Sequence, residues 1–317
     1  MEYLTSTSKE VSELFTCYYG DQKTELSKAS NYLLQAGGKR LRPAMFKLAA
    51  ESVAPGSSKQ IMPGALAVEV THTFTLVHDD IMDGDSVRRG RPTVHVVWDE
   101  PIAILAGDVL FARAFVLLAD AKADASRKVE AVRILGKASE DICEGQQRDM
   151  AFEARDDVSA DEYLEMVRKK TGVLYGTAGA LGALLAGASQ DTVSAFMTFG
   201  EHLGIAFQIQ DDIIDLMRDT AVSGKDQASD IREGKQTLIA IRARERGIDL
   251  TPYQHDLTPE EIQEVVALLT DAGIVAEVTA EAQAYVDSGI ACLSVLPDSM
   301  EKELLLEIAQ YFIERNY

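Results

Sequence analysis

The sequence predicts an all-α protein that forms one domain. Helical periodicity runs through most of the chain, alternating apolar and polar residues are scarce, and no linker rich in Gly, Ser or Pro interrupts it. Of the 317 residues, 46% are hydrophobic, so the chain can bury a large core. We therefore expect a single domain over residues 1–317 with its long central helices buried.

The predicted helices follow the 3.6-residue period, and several begin at recognisable capping residues. Asp21 precedes the second helix, Ser159 and Glu162 have the spacing of a capping box, and Thr258 comes before Pro259 at a first helical position. The expected helices are residues 5–17, 23–35, 41–53, 61–82, 101–120, 127–153, 160–187, 190–218, 235–246, 259–272, 274–294 and 298–314.

Composition excludes several classes of partner. The chain has 51 acidic and 31 basic residues, a net charge of −20, whereas a nucleic-acid-binding surface is basic. Its three cysteines match neither a disulfide framework nor a zinc site, which favours a reducing cytoplasm. The first residues lack the pattern of a signal peptide, and the most apolar stretch, Gly172–Ala188, is shorter than a membrane span. We expect a cytoplasmic protein with no membrane span, in which this stretch is a tightly packed helix.

Two aspartate-rich pentapeptides are the most informative motifs. They are Asp79-Asp80-Ile81-Met82-Asp83 and Asp211-Asp212-Ile213-Ile214-Asp215, with carboxylates at i, i+1 and i+4. In an acidic protein, one such motif is usually a solvated helix end. Both copies, however, lie among apolar residues, and two similar helices could present their acids to each other. Carboxylates bind hard divalent cations, so the pair predicts Mg²⁺ and an anionic, diphosphate-like ligand.

Two basic segments accompany the acids. Arg88, Arg89 and Arg91 follow the first pentapeptide, and guanidinium groups bind phosphate in a bidentate manner. The segment Gly37-Gly38-Lys39-Arg40-Leu41-Arg42-Pro43 joins a glycine turn to a helix start, where backbone N–H groups favour anions. Taken singly, each segment could equally be an ordinary loop with salt bridges.

Together these segments resemble the trans-prenyltransferase family, the head-to-tail isoprenyl diphosphate synthases. The resemblance covers about residues 35–240 in the family's order. Its further matching pieces are Gly145-Gln146 with Asp149, Lys170-Thr171, and Phe207-Gln208-Ile209-Gln210 before the second pentapeptide. The resemblance implies the isoprenoid synthase fold, a bundle of about ten or more helices around a large central cavity, and a homodimer.

The resemblance also implies a role for each matching residue. Mg²⁺, expected as three ions, would be held by Asp79, Asp80, Asp83, Asp211 and Asp215, with Asp149 acting through water and Asp212 less directly. The allylic diphosphate would be contacted by Arg88, Lys170, Lys225 and Lys235, with Gln208 beside it and Thr171 between the substrates. The second substrate, isopentenyl diphosphate, would be bound by Lys39, Arg42, His72 and Arg89.

Product length is expected to depend on the residues just before the first pentapeptide. One aromatic, Phe74, followed by the small Thr75 resembles the archaeal geranylgeranyl diphosphate synthases, which make a twenty-carbon product. A helical wheel puts Phe74 well off the face of Asp79, so its role depends on the resemblance. Farnesyl and longer-chain synthases remain the alternatives.

Other classes of protein are less compatible with these motifs. Ionisation-type terpene cyclases replace the second aspartate motif, which is intact here, and head-to-head squalene or phytoene synthases lack the Gly37-Gly38-Lys39 start. A catalytically silent partner subunit of a prenyl synthase usually loses one acidic motif. The sequence therefore favours an active enzyme whose substrates are isopentenyl diphosphate and allylic diphosphates.

Overall fold

The computed structural model describes residues 2–217 and 227–314, and nearly all of their regular structure is helical. The predicted all-α class is thereby confirmed, and the predicted helix 41–53 has the observed bounds. The α-helices are α1 (Glu2–Tyr19), α2 (Glu25–Gln35), α3 (Leu41–Val53), α4 (Ser58–Met82), α5 (Val94–Val97), α6 (Glu100–Asp120), α7 (Ala125–Phe152), α8 (Ala160–Val167), α9 (Val173–Ala186), α10 (Gln190–Met217), α11 (Ser229–Arg232), α12 (Leu238–Glu245), α13 (Pro259–Asp271), α14 (Ile274–Cys292) and α15 (Met300–Tyr311). Short 3₁₀ turns cover Thr251–Tyr253 and Leu293–Val295.

Capping residues set several of these helix starts. Ser159 forms the predicted capping box with Glu162 at the start of α8. At α13 the predicted Pro259 is the first helical residue, and Thr258 also forms a capping box with Glu261, which was not predicted. The prediction for α2 is wrong: Thr24 and not Asp21 precedes it. Thr24 accepts a hydrogen bond from the Ser27 N–H, and the Ser27 hydroxyl accepts one from the Thr24 N–H. Asp21 instead forms a salt bridge with Lys23 at 2.7 Å.

Two local features were not predicted. The expected helix 160–187 is interrupted by a π-helical turn, Arg168–Gly172, between α8 and α9. A two-stranded antiparallel hairpin, β1 (Val87–Arg88) with β2 (Arg91–Pro92), follows α4. Its two turn residues, Arg89 and Gly90, both have positive φ, the requirement of the tight turn that suits twisted strands.

Contacts within the chain form two compact units. The first unit comprises Met1–Ser139, Leu174–Met197 and Val295–Lys302, and the second comprises Glu140–Val173, Thr198–Ser294 and Glu303–Tyr317. The single domain over residues 1–317 stays a prediction.

Close helix packing organises the first unit. α4 is buried along most of its length and packs chiefly against α6 and α3. Glycines allow the approach: a Cβ on Gly182 of α9 would lie 2.1 Å from the Phe46 carbonyl oxygen. On α6, a Cβ at Gly107 would lie 2.1 Å from Nε2 of His78. The prediction that Gly172–Ala188 contains a tightly packed helix is confirmed, since Ala178, Ala180 and Ala183 are fully buried.

The second unit has its own apolar core. Ile209 of α10 is fully buried with side chains from the later helices, which include Leu238, Ile241, Val265, Leu269 and Val278. The region after residue 245, which contributes little to the family resemblance, therefore supplies a large part of this core.

Among the described residues, one helix has the length and composition of a membrane span. This is α6, of 21 residues, and 39% of its apolar window is buried inside the protein. Ala103, Ala106, Leu110 and Leu117 form its buried face, whereas Ile104, Leu105 and Val116 are exposed. This pattern is also that of a core helix in a soluble protein.

Candidate active site

The first aspartate motif lies at the end of α4, where the three carboxylates differ in exposure. Asp80 is only 1% exposed, Asp79 is partly buried and Asp83 is exposed. Oδ1 of Asp80 accepts a hydrogen bond from Nε of Arg88 at 2.6 Å. Burial raises the pKa of the Asp80 carboxyl, and Arg88 opposes this shift.

The other oxygen of Asp80 fits a metal ligand. Oδ2 is buried and has no hydrogen-bond partner among the residues that the structure describes. A buried carboxylate oxygen without a partner is costly, and a hard cation would satisfy it. Within residues 2–217 and 227–314, no three His, Cys, Asp or Glu side chains already stand as a ligand set. The donor chemistry therefore fits Mg²⁺.

Two of the three arginines in the hairpin after α4, Arg88 and Arg89, point in different directions. Arg88 contacts Asp80 and also donates to Oδ2 of Asp85 at 2.9 Å. Arg89, at φ 53°, donates to the carbonyl of Gly37, and its guanidinium lies against Gly38. Adjacent arginines thus connect one turn both to the aspartate motif and to the glycine loop.

The residues predicted to bind isopentenyl diphosphate gather around that glycine loop. The guanidinium of Arg42 lies 4.0 Å from the ring centre of Tyr175, and its buried Nε has no hydrogen-bond partner in the described part of the chain. Burial lowers the pKa of His72 well below its ordinary value, and Arg42 and Arg89 lower it further. Lys39 is exposed on the loop itself. An anion is the ligand that this excess of cationic groups can accept.

In the second unit, Asp212 of the second aspartate motif serves as a hydrogen-bond acceptor. Its Oδ2 accepts from the Tyr163 hydroxyl at 2.5 Å, and its Oδ1 accepts from Nε2 of Gln208 at 3.1 Å. Thr171 in turn donates to Oε1 of Gln208 at 3.4 Å. Burial, followed by the charge of Asp230, raises the pKa of Asp212. Both oxygens of Asp212 therefore accept hydrogen bonds from neighbouring side chains, and one of these neighbours is Gln208.

Asp215 is hydrogen-bonded to the start of α11. Its Oδ1 accepts a hydrogen bond from the Ser229 hydroxyl at 2.5 Å, and its Oδ2 accepts from the backbone N–H of Asp230 at 3.0 Å. Each carboxylate oxygen keeps a further lone pair, so these bonds are compatible with metal binding. Asp211 lies on the same helix and is partly buried.

Lys170 and Asp149 form an ion pair with each other. Lys170 lies on the π-helical turn, a feature that often occurs at functional sites. Gly145 of α7 makes the approach possible, because a Cβ there would lie 2.4 Å from the Lys170 backbone nitrogen. The sequence predicted separate roles for this lysine and this aspartate, and the structure brings the two together.

Lys235 also has acidic partners. Its Nζ lies 3.1 Å from Oδ1 of Asp230 and 3.2 Å from Oε2 of Glu233. Burial opposes its charge, but the two carboxylates outweigh burial and raise the pKa of Lys235. Lys225 lies outside the described residues.

Phe74 and Thr75 lie in the buried part of α4. The Phe74 ring meets two neighbours edge-on: Phe111 of α6 with 5.2 Å between ring centres, and His78 at 5.9 Å. The Thr75 hydroxyl donates to the carbonyl of His72. Phe111 had no signal in the sequence, and neither did Tyr163 or Tyr175, because their importance comes only from contacts across the fold.

Comparison with known proteins agrees with these observations. A family model described as polyprenyl synthetase matches residues 23–268. A geranylgeranyl diphosphate synthase from Methanosarcina mazei is 48% identical, covering 92% of this chain and 90% of the relative. A geranylfarnesyl diphosphate synthase from Natronomonas pharaonis is 44% identical, covering 93% and 92%.

Solved structures match along nearly the whole chain. The geranylgeranyl pyrophosphate synthetase from Geoglobus acetivorans has a TM-score of 0.92 at 41% identity, covering 98% of this chain and 99% of that one. The enzyme of that name from Pyrococcus horikoshii has a TM-score of 0.93 at 34% identity, covering 99% of both chains. The predicted isoprenoid synthase fold is confirmed, and the chain belongs to the polyprenyl synthetase family.

Proposed function

We propose that this protein is a Mg²⁺-dependent head-to-tail prenyltransferase that condenses isopentenyl diphosphate with allylic diphosphates, with geranylgeranyl diphosphate as its product. One observation supports this above others: two intact aspartate motifs are accompanied by a separate cluster suited to a second diphosphate, the cationic Arg42 and Arg89 with the neutral His72 beside them. A cyclase needs only one diphosphate site, whereas a condensing enzyme needs two.

The metal ligands are the carboxylates Asp79, Asp80, Asp83, Asp211 and Asp215, with Asp149 acting through water. These residues would hold Mg²⁺, three ions in our proposal, and bound Mg²⁺ would supply positive charge beside the departing diphosphate. Arg88 and Lys170 bind the oxygens of that diphosphate, together with Lys225 and Lys235, while Gln208 lies beside it. Because Lys170 is paired with Asp149 and Lys235 with Asp230, substrate would have to compete for both lysines.

The protein's own groups orient the second substrate and exclude water. Lys39, Arg42, His72 and Arg89 hold isopentenyl diphosphate so that its alkene faces the allylic carbon, and Thr171 lies between the substrates. The allylic C–O bond breaks, its electron pair leaves with the diphosphate, and the alkene forms the new C–C bond. A proton then leaves the resulting cation, and the departed diphosphate accepts it. Apolar walls keep water from the cation.

The twenty-carbon product is supported by Phe74, a buried aromatic, in front of the small Thr75. A relative named geranylgeranyl diphosphate synthase, at 48% identity, and one named geranylgeranyl pyrophosphate synthase, at 42%, support the same length. A relative named geranylfarnesyl diphosphate synthase supports a longer product as one alternative. A farnesyl product is the shorter alternative.

We further propose a cytoplasmic homodimer. Exposed apolar side chains stand on α6 and α7, among them Ile104, Leu105, Val116, Val129 and Val132. Exposed apolar side chains in this number are typical of an interaction surface, and we propose that a second copy of the chain covers them. Sedimentation of the purified protein would give twice the chain mass of 34.6 kDa for a dimer.

Turnover of the purified chain alone tests the proposed function. It is incubated with Mg²⁺, isopentenyl diphosphate and one allylic starter at a time, of five, ten or fifteen carbons. A longer prenyl diphosphate is expected with at least one starter and no product in the presence of a chelator. Failure with every starter would favour the silent partner subunit.

A further inference from the structure

Arg40 differs from the cations on either side of it. It lies in sequence between Lys39 and Arg42, both proposed to bind isopentenyl diphosphate, yet it is only 6% exposed. Its Nη1 forms an ion pair with Oε1 of Glu69 on α4, itself 3% exposed, and its Nη2 donates to the Leu34 carbonyl at 2.6 Å. With its charge balanced inside the protein, Arg40 faces away from solvent.

The backbone of this loop is held in an uncommon conformation. Gly37 and Gly38 have φ values of 79° and 142°, and Arg40 has φ 51° although it carries a side chain. A residue other than glycine persists at positive φ only where its surroundings hold it there. Arg40 is also the residue immediately before α3. The anchor of its side chain therefore sets where α3 begins and where Arg42, in the first turn, is placed.

A second arginine holds the same loop from another direction. Arg89, also at positive φ, donates to the Gly37 carbonyl, and its guanidinium lies 3.4 Å from where a Cβ of Gly38 would be. The loop is thus fixed at one end by the buried Arg40–Glu69 pair and at the other by Arg89. Lys39 lies between these two attachments.

We propose that the buried Arg40–Glu69 pair is a positioning device that holds Lys39 and Arg42 in place for the diphosphate of isopentenyl diphosphate. The proposal depends on the function proposed above, which assigns this cluster to that substrate. Arg40 itself does not touch the diphosphate. Glu69 keeps the guanidinium of Arg40 pointing inward, so Lys39 and Arg42 are the groups that receive the ligand.

The Arg40→Lys variant tests the proposal, because lysine keeps the charge but cannot donate to Glu69 and the Leu34 carbonyl through a planar fork. The matched control is Arg113→Lys. Arg113 belongs to the same unit, is half-buried, and donates to Asn31 at 2.8 Å away from the loop. Binding of isopentenyl diphosphate is measured by calorimetry, which needs no turnover, and thermal melting is measured beside it.

We expect Arg40→Lys to weaken isopentenyl diphosphate binding about tenfold, equal to ~1.4 kcal/mol, with the KM for the allylic substrate unchanged. Arg113→Lys should lower the melting temperature without this loss of affinity. If Arg40→Lys does not fold, Glu69→Asp, one methylene shorter, should give the same selective loss. Unchanged affinity in a folded variant of the pair would overturn the proposal and leave a merely structural ion pair.

The two proposals fail in different ways. If the unaltered protein binds isopentenyl diphosphate but forms no product with any starter, the proposed function fails. The positioning role is then still judged by whether the Arg40 and Glu69 variants bind isopentenyl diphosphate more weakly than the unaltered protein. If product forms and the Arg40 and Glu69 variants bind the substrate as the unaltered protein does, only the positioning role fails.

Discussion

The ring of Phe74 on α4 meets the ring of Phe111 on α6 edge-on, with 5.2 Å between ring centres and 67° between the planes. Phe111 in turn meets Phe115 at 5.1 Å. Edge-on aromatic pairs add stability beyond the area they bury, so each ring restrains the next. The residue proposed to stop chain growth is therefore held by a neighbouring helix.

Replacing the proposed stop should lengthen the product. Phe74→Ala removes a ring that is 7% exposed, so we expect prenyl diphosphates at least one isoprene unit longer than that of the unaltered protein. The cavity should also cost about 3–5 kcal/mol of unfolding free energy. Chromatography of dephosphorylated products, with denaturant unfolding beside it, measures both. An unchanged product from a folded variant would remove Phe74 from its role.

Removing the Phe111 ring that contacts Phe74 should also lengthen the product, but less than Phe74→Ala does. In Phe111→Ala the Phe74 ring remains but loses its edge-on partner, so we expect a mixture of the normal and longer products. Val295→Ala, at an exposed position outside the surface proposed for the homodimer, serves as the control and should keep the normal product. A single product of normal length from Phe111→Ala would show that Phe74 needs no such support.

Features that depend on spacing within one helix could be predicted from the sequence, whereas contacts between distant residues could not. The aspartate motifs and the long α4 were predictable because the relevant spacing lies within one helix. Phe111 and the Tyr163–Asp212 hydrogen bond were not, since their partners are 37 and 49 positions away. Likewise, the positive φ of Arg40 and Arg89 and the π-helical turn at Lys170 depend on tertiary contacts that composition and periodicity do not encode.

Isopentenyl diphosphate binding should be accompanied by proton uptake at His72. Burial and the surrounding guanidinium groups lower the pKa of His72, so it is neutral in the free protein near pH 6.5. An incoming diphosphate adds negative charge, which favours the protonated imidazole and raises that pKa. Calorimetry in two buffers of different ionisation enthalpy measures the uptake.

The comparison for this experiment is His72→Gln, which removes the titrating group. Any proton exchange by the diphosphate itself is common to both proteins, so the difference between them belongs to His72. Equal uptake by the two proteins would contradict a role for His72 beside the diphosphate.

Acid should destabilise the protein through Glu162 at the start of α8. Hydrogen bonds from Arg155 and from the Ser159 N–H lower the pKa of Glu162 from 4.5 to about 2. A carboxyl whose pKa is lower in the folded state stabilises the fold above pH 4.5 and loses this contribution as the pH falls towards 2. The melting temperature should therefore decrease less between pH 6 and pH 3 for Glu162→Gln than for the unaltered protein. The same fall in both would assign the acid sensitivity to other groups.

Chromatography of the dephosphorylated products against chain-length standards shows whether this protein is an active synthase with a twenty-carbon product. The purified chain is given Mg²⁺, isopentenyl diphosphate and a fifteen-carbon allylic starter. We expect geranylgeraniol as the main product and its loss in Asp80→Asn, which replaces the buried carboxylate proposed to bind metal. A main product of any other length would contradict the length assignment, and full activity of Asp80→Asn would contradict the metal site.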